Sequence, residues 1–154
     1  MFDAIDQKIL QSLQEDGRLS HTAIAKEVGL SAPAIGERVR KLEQQGVIKG
    51  YQAVLDPEAL GLHISAFVAI IPQARVPGTT LVSNLLAQAE IQELHAVAGE
   101  YSYIAKVRVT STQALDEFLD RLFMLEGVER TQAMMILRTN VERTPFLPFG
   151  EGTR

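Results

Sequence analysis

The apolar residues of this chain change period near Leu62, and that break limits the fold more than any single motif does. Before it, three sets recur at three- and four-residue spacing: Ile5, Ile9, Leu10 and Leu13; Ile24, Ala25 and Val28; Ile35, Val39 and Leu42. Each set lies along one face of a helix. After it, apolar residues run together or alternate over 65–71, 91–97, 101–109 and 128–139, the pattern of strands. The chain is therefore expected to divide into an all-helical unit and a mixed one, giving an α+β protein.

Local start and stop signals agree with these periods. Asp3, Ser20 and Ser31 stand where N-caps belong, while Asp16-Gly17, Gly29 and Gly46 end the three helical patterns. Pro33 falls in the first turn of the third helix, where a missing N–H costs little. Three helices joined by short turns predict an N-terminal tri-helical helix-turn-helix domain, winged-helix-like, over residues 1–50. Residues 47–55 are β-prone and precede the turn signal Asp56-Pro57, so 51–62 reads as a linking strand and hinge. Helical spacing returns at 79–89 and 112–125, which gives a C-terminal ferredoxin-like βαββαβ domain over 63–142. A loosely ordered C-terminal tail, 143–154, is expected to follow.

The sheet of that domain needs cover on both faces. Phe67, Val68, Ala69, Ile70 and Ile71 put apolar groups on each side, and Met134 and Ile136 point one way while Met135 and Leu137 point the other. Two helices shield one face only. Sheet-to-sheet contact with a second copy is the simplest remedy, hence an expected homodimer; closure by the helical unit is the alternative.

Composition narrows the function. Of 154 residues 46% are apolar, enough for a core, yet no run reaches the length of about 18 that a membrane-spanning helix needs. The N-terminus carries Asp3 and Asp6 where a signal peptide carries bases, and the chain has no cysteine, so a cytoplasmic protein without disulfides is expected. His21, His63 and His95 lack metal-ligand spacing, and no metal or other cofactor is expected. No G-x-G-x-x-G after a strand, Walker loop or G-x-S-x-G elbow is present, so no catalytic residues are assigned and the chain does not read as an enzyme. The net charge of −4 argues against a protein that coats nucleic acid by bulk attraction. Residues 1–50 nevertheless hold seven bases against seven acids, and 31–50 carries Arg38, Arg40, Lys41 and Lys49 against Glu37 and Glu43.

A helix-turn-helix meets double-stranded DNA by laying its second helical element of the motif, here the third helix, in the major groove. Ser31, Ala32, Pro33, Ala34, Gly36, Glu37 and Arg38 form the end that would face base edges, and the small residues permit close approach. Arg38 is expected to reach guanine or phosphate; Arg40, Lys41 and Lys49 are expected on phosphates. His21 and Thr22, just after the cap of the second helix, join them, although a solvated His21 is an equal alternative. A plain packing module with a solvated charged face is the competing reading of the whole unit. Tyr101 and Tyr103 share a strand face with Val107 and Val109 and are expected to pack in the core.

The run IDQKILQSLQEDGRLSHTAIAKEVGLSAPAIGERVRKLEQQGVIKGYQAVLDPEALGL resembles the N-terminal half of the Lrp/AsnC, or feast/famine, transcription regulators. AVAGEYSYIAKVRV and LEGVERTQAMMIL are similar to the effector domain of the same family. The resemblance implies a DNA-binding regulator whose C-terminal domain dimerises and assembles further, often to octamers. It also implies an amino-acid or other small effector held between dimers, near Gly99, Glu100, Tyr101, Ser102 and Tyr103, with Ala133 and Met134 of the last strand. Ser102 stands where the family commonly has Asp, and Ala133 and Met134 stand where it has hydroxyls, so the effector is expected to differ from the usual pattern. A sequence-specific regulator is the leading expectation; a general DNA-organising, nucleoid-type protein of the same build is the alternative.

Overall fold

A computed structural model describes residues 2–142, so the tail expected at 143–154 lies outside the described residues. The chain divides into two compact units, one formed by residues up to Val54 and the other by Leu55–Asn140.

The first unit holds α1 (Ala4–Glu15), α2 (His21–Val28) and α3 (Ala32–Gln44). Each begins at the residue its sequence marks. Asp3 accepts from the Asp6 N–H at 2.8 Å while Asp6 accepts from the Asp3 N–H, a reciprocal capping box. Ser20 and Ser31 accept from Ala23 and Ala34 N–H. Gly29 closes α2 at φ 73°, left-handed backbone that a β-carbon would strain. Ile9, Leu10, Ile24, Ala25, Ile35, Val39 and Leu42 form the core, with Ile5, Leu13 and Ile48 packed against it. One buried hydroxyl bridges two helices: Ser12 Oγ lies 3.0 Å from the Lys8 carbonyl and 3.0 Å from the Glu27 carboxylate.

No strand forms at 47–55, contrary to the sequence expectation of a linking strand. Val47 and Ile48 instead donate to the Leu42 carbonyl and finish α3, and Val54 is 90% exposed. β-propensity supplies an extended backbone but no partner edge, and a strand exists only where its N–H and C=O groups are paired.

The second unit runs β1 (Ile64–Pro72), α4 (Gly78–Leu86), β2 (Ile91–Ala96), β3 (Tyr103–Val109), α5 (Thr112–Phe123) and β4 (Val128–Met135). The sheet order is β2-β3-β1-β4, all pairs antiparallel, as a ferredoxin-like domain requires. Ala66, Val68 and Ile70 of β1 join Ala105 and Val107 of β3, Leu81 and Leu85 of α4, and Leu115, Phe118 and Leu122 of α5 in one core. The two helices thus cover one face. Register puts Phe67, Ala69 and Ile71 on the other, beside Met134, Gln132 and Arg130 of β4. There Phe67 is 41% and Met134 45% exposed.

Several elements end earlier than periodicity suggests. β4 stops at Met135, paired with Ala66, and only the Ile136 N–H bond to the Ser65 carbonyl continues it, because β1 itself begins at Ile64. α4 closes at Leu86 rather than Ala89 and α5 at Phe123 rather than Leu125. The β1–β4 register shifts between Ile71 and Pro72, where proline has no N–H for the ladder. No helix among the described residues is long and apolar enough to cross a membrane.

Candidate nucleic-acid interface and effector loop

Because Ile35, Val39 and Leu42 turn inward, the opposite side of α3 faces out. Pro33, Glu37, Arg40, Lys41 and Gln44 share that stripe and all are exposed. Beside it runs a groove of about 900 Å³ whose walls include His21, Thr22, Ala32, Pro33, Gly36, Glu37 and Arg40. Most residues expected to meet DNA are therefore on or next to one surface; Ser31 is exposed at the N-cap of α3, and Lys49 is exposed beyond its C-terminal end. Ala34, half-buried, lies on the flank.

Gly36 has a specific structural reason. A β-carbon there would sit 3.0 Å from His21 Nδ1 and 3.4 Å from Cε1, so the bare backbone lets the imidazole lie against α3. Glycine forfeits roughly 1 kcal/mol of helix propensity here, and the space it leaves is taken by the His21 ring. His21 is thus neither buried nor simply solvated; it lines the groove. Sequence reasoning missed Tyr51, which closes one end by donating from its hydroxyl to Glu43 at 3.1 Å. Burial first, and the Glu43 carboxylate second, hold the Tyr51 phenol above its usual pKa.

Arg38 departs from expectation. Its guanidinium lies 2.7 Å from Asp3 and 2.8 Å from Asp6, turned toward the start of α1 rather than outward. The two capping carboxylates are thereby braced to α3, and the side chain is only a third exposed. The Asp6 N–H, then the Arg38 guanidinium, hold the Asp3 carboxyl below its usual range. A depressed carboxylate contributes stability above its unfolded pKa and loses it as pH falls through the folded value. Arg38→Ala should therefore lower the Tm of the protein at neutral pH. The gap should close as pH falls from about 4, the ordinary aspartate value, through the lower value of Asp3, checked by thermal melts across that range. A gap independent of pH would assign Arg38 to packing of its stem instead.

The loop between β2 and β3 turns at Gly99 (φ 148°) and leans across the end of β1. Ser102 accepts from Val97 N–H through its carbonyl at 3.0 Å and donates its own N–H to the Ile70 carbonyl at 3.2 Å. Tyr101 does not pack in the core: its hydroxyl donates to the Gln132 side chain on β4, and Glu100 lies 3.6 Å from Arg130 on the same strand. Tyr103 does join the core, and its hydroxyl would meet a β-carbon at Gly78 at 3.2 Å, beneath the start of α4. A shallow surface cavity of about 660 Å³ opens there, between Tyr103 and Gly78, Val82 and Leu86. The candidate effector residues are consequently not gathered into one cavity of the single chain. Ala133 pairs with Val68 on the helix-covered side and Met134 with Phe67 on the open side. Gln132 and Arg130, which the loop actually touches, went unnoticed, although their two-residue spacing from Met134 placed them on its face. Among the described residues no group of three or more His, Asp or Glu side chains is placed to hold a metal ion.

An exposed helix of a helix-turn-helix, carried with a ferredoxin-like domain that has one open apolar face, defines a DNA-binding protein with a separate assembly or sensing domain. Family models agree on both parts: the AsnC-type helix-turn-helix domain matches residues 2–43, and the Lrp/AsnC ligand binding domain matches 65–146. The chain belongs to the Lrp/AsnC family of transcription regulators. It is 39% identical to the transcriptional regulator FL11 of Pyrococcus horikoshii over 92% of this chain and 93% of that one. It is 40% identical to the regulator LrpA of Mycobacterium tuberculosis over 95% of this chain and 97% of that one. Among solved structures, the feast or famine regulatory protein of M. tuberculosis complexed with L-methionine superposes with a TM-score of 0.90 at 38% identity, covering 96% of this chain and all of that one.

Proposed function

We propose that this protein regulates transcription by binding double-stranded DNA through the outer stripe of α3, acting through binding rather than catalysis. The observation that carries the reading is the placement of Pro33, Glu37, Arg40 and Lys41 on one exposed side of α3, with His21 and Thr22 alongside. Ser31, Ala32, Ala34, Gly36 and Lys49 complete the surface, while Arg38 braces it from behind. Residues 1–50 then serve as the reading head, 51–62 as the connection and 63–142 as the assembly domain.

One copy has few bases to offer phosphate, so useful affinity requires several copies held together, which raises it about 10²- to 10⁴-fold without new contacts. The open sheet face around Phe67 and Met134 supplies the contact for a homodimer, and dimers assemble further, to an octamer. An amino acid or another small effector bound between dimers, at 99–103, would shift the assembly and with it the spacing of paired α3 helices. The L-methionine complex of the similar M. tuberculosis regulator supports an amino acid as the class. A protein that acts on DNA has its place in the cytoplasm, and no helix among the described residues is long and apolar enough to cross a membrane.

Selection of bound fragments from random DNA, with and without an amino-acid mixture, tests this directly. Enrichment of paired half-sites about one helical turn apart, ~34 Å or a multiple, supports it. No retention of DNA even at low salt would overturn it. A second expectation concerns the loop. Ser102→Asp supplies a carboxylate for an amino group, a charge-assisted contact worth about 1.5–3 kcal/mol, so amino-acid affinity should rise about tenfold or more by calorimetry. No gain with any common amino acid would remove 99–103 from the effector site.

A further inference from the structure

Glu37 stands at the centre of the surface assigned to DNA, where a carboxylate is at first sight a liability. Lying two residues beyond buried Ile35, it is rotated about 200° around the helix from it and points directly away from the core. It is exposed, and it has no ion-pair partner among the described residues. Arg38, its neighbour, is turned inward onto Asp3 and Asp6. The first turns of α3 are otherwise Ala32, Pro33, Ala34 and Gly36, which offer no side-chain hydrogen-bonding group. Glu37 is thus the only polar side chain that the N-terminal half of the helix body aims outward, and it can only accept.

Phosphates repel such a group, whereas the floor of the major groove presents donors. Cytosine offers its N4 amine, the partner that carboxylates take in direct readout. Arg40 and Lys41, three and four residues further along the same stripe, flank Glu37 and offset its repulsion from the strands on either side. Ala34 adds no bulk on one flank, and on the other the His21 ring fills the space over Gly36, so Glu37 stands proud of the stripe with the reach to meet a base edge.

We infer that Glu37 is the specificity-determining residue of the reading helix, accepting from the N4 amine of a cytosine in each half-site. The inference rests on the DNA-binding reading above. It adds what that reading lacks, a named base preference and the residue that imposes it. Glutamine at the same position would favour adenine, because its amide both donates to N7 and accepts from the N6 amine.

The test uses full-length wild-type protein, Glu37→Gln and Glu37→Ala, each selected against random DNA at one fixed salt concentration. Affinities are then measured for the wild-type consensus, its single-base variants and random DNA. Wild-type sites should carry cytosine at one position per half-site. Glu37→Gln should move that position to adenine, and Glu37→Ala should erase its preference, a loss of about tenfold or more in discrimination. Other positions should keep their bases, and affinity for random DNA should hold or rise once the carboxylate is gone. Identical selected sequences for all three proteins would overturn the inference, as would a uniform change across every sequence, since either reduces Glu37 to a general repulsive charge. Wild-type protein that retains no DNA would instead overturn the DNA-binding reading itself. Glu37 is solvent-facing, so melting curves matching wild type are expected and certify that the variants are folded.

Discussion

Replacing Phe67 and Met134 together by aspartate is expected to break the homodimer proposed above into single chains. The two side chains are direct register partners on β1 and β4, each a little under half exposed, at the middle of the face the helices leave open. Like charges placed opposite one another repel across the ladder and would also meet their counterparts in a second copy. Neither residue belongs to the core that α4 and α5 cover, so the domain should remain folded. Sedimentation or light scattering should show a shift to monomer mass at working concentrations. DNA affinity should fall about 10²- to 10⁴-fold with it, because the linked reading heads become independent. A double variant that keeps its assembled mass would place the dimer contact elsewhere.

The second large effect lies inside the fold. Phe118, on α5, is the largest fully buried residue of the core between sheet and helices. Phe118→Ala removes most of a ring from a close-packed site and should cost about 3–5 kcal/mol of stability. Urea unfolding should report the loss as a lower midpoint at unchanged slope. The expected consequence for function is indirect, through the population of folded chain. A loss under about 1 kcal/mol would mean that neighbouring side chains collapse into the space.

Much of this was readable from the chain because local rules and long-range packing agree here. Asp3, Ser20 and Ser31 cap the helices they announce, and Gly29 closes α2 in the backbone region that its lack of a β-carbon allows. The order of strands and helices in the second unit follows from the change of period alone. Failures came where a residue's role depends on something distant. Arg38 finds carboxylates 35 and 32 positions earlier in the chain, and nothing in the pattern of α3 specifies that meeting. Residues 47–55 have strand chemistry without a strand's partner. The effector residues are a different case. Ala133 and Met134 are adjacent in a strand, so a period of two already sent them to opposite faces. Gln132, one position earlier and on the Met134 face, receives the Tyr101 hydroxyl.

The loop between β2 and β3 has a mechanical meaning. Tyr101 and Tyr103, with only Ser102 between them, are anchored on different sides: one ring on the edge strand β4, the other under the first turn of α4. Ser102 itself is pinned to the Ile70 carbonyl in the strand between them. The two faces of the sheet are thereby tied through one peptide, and a displacement of either ring would pull on the same Ser102–Ile70 hydrogen bond.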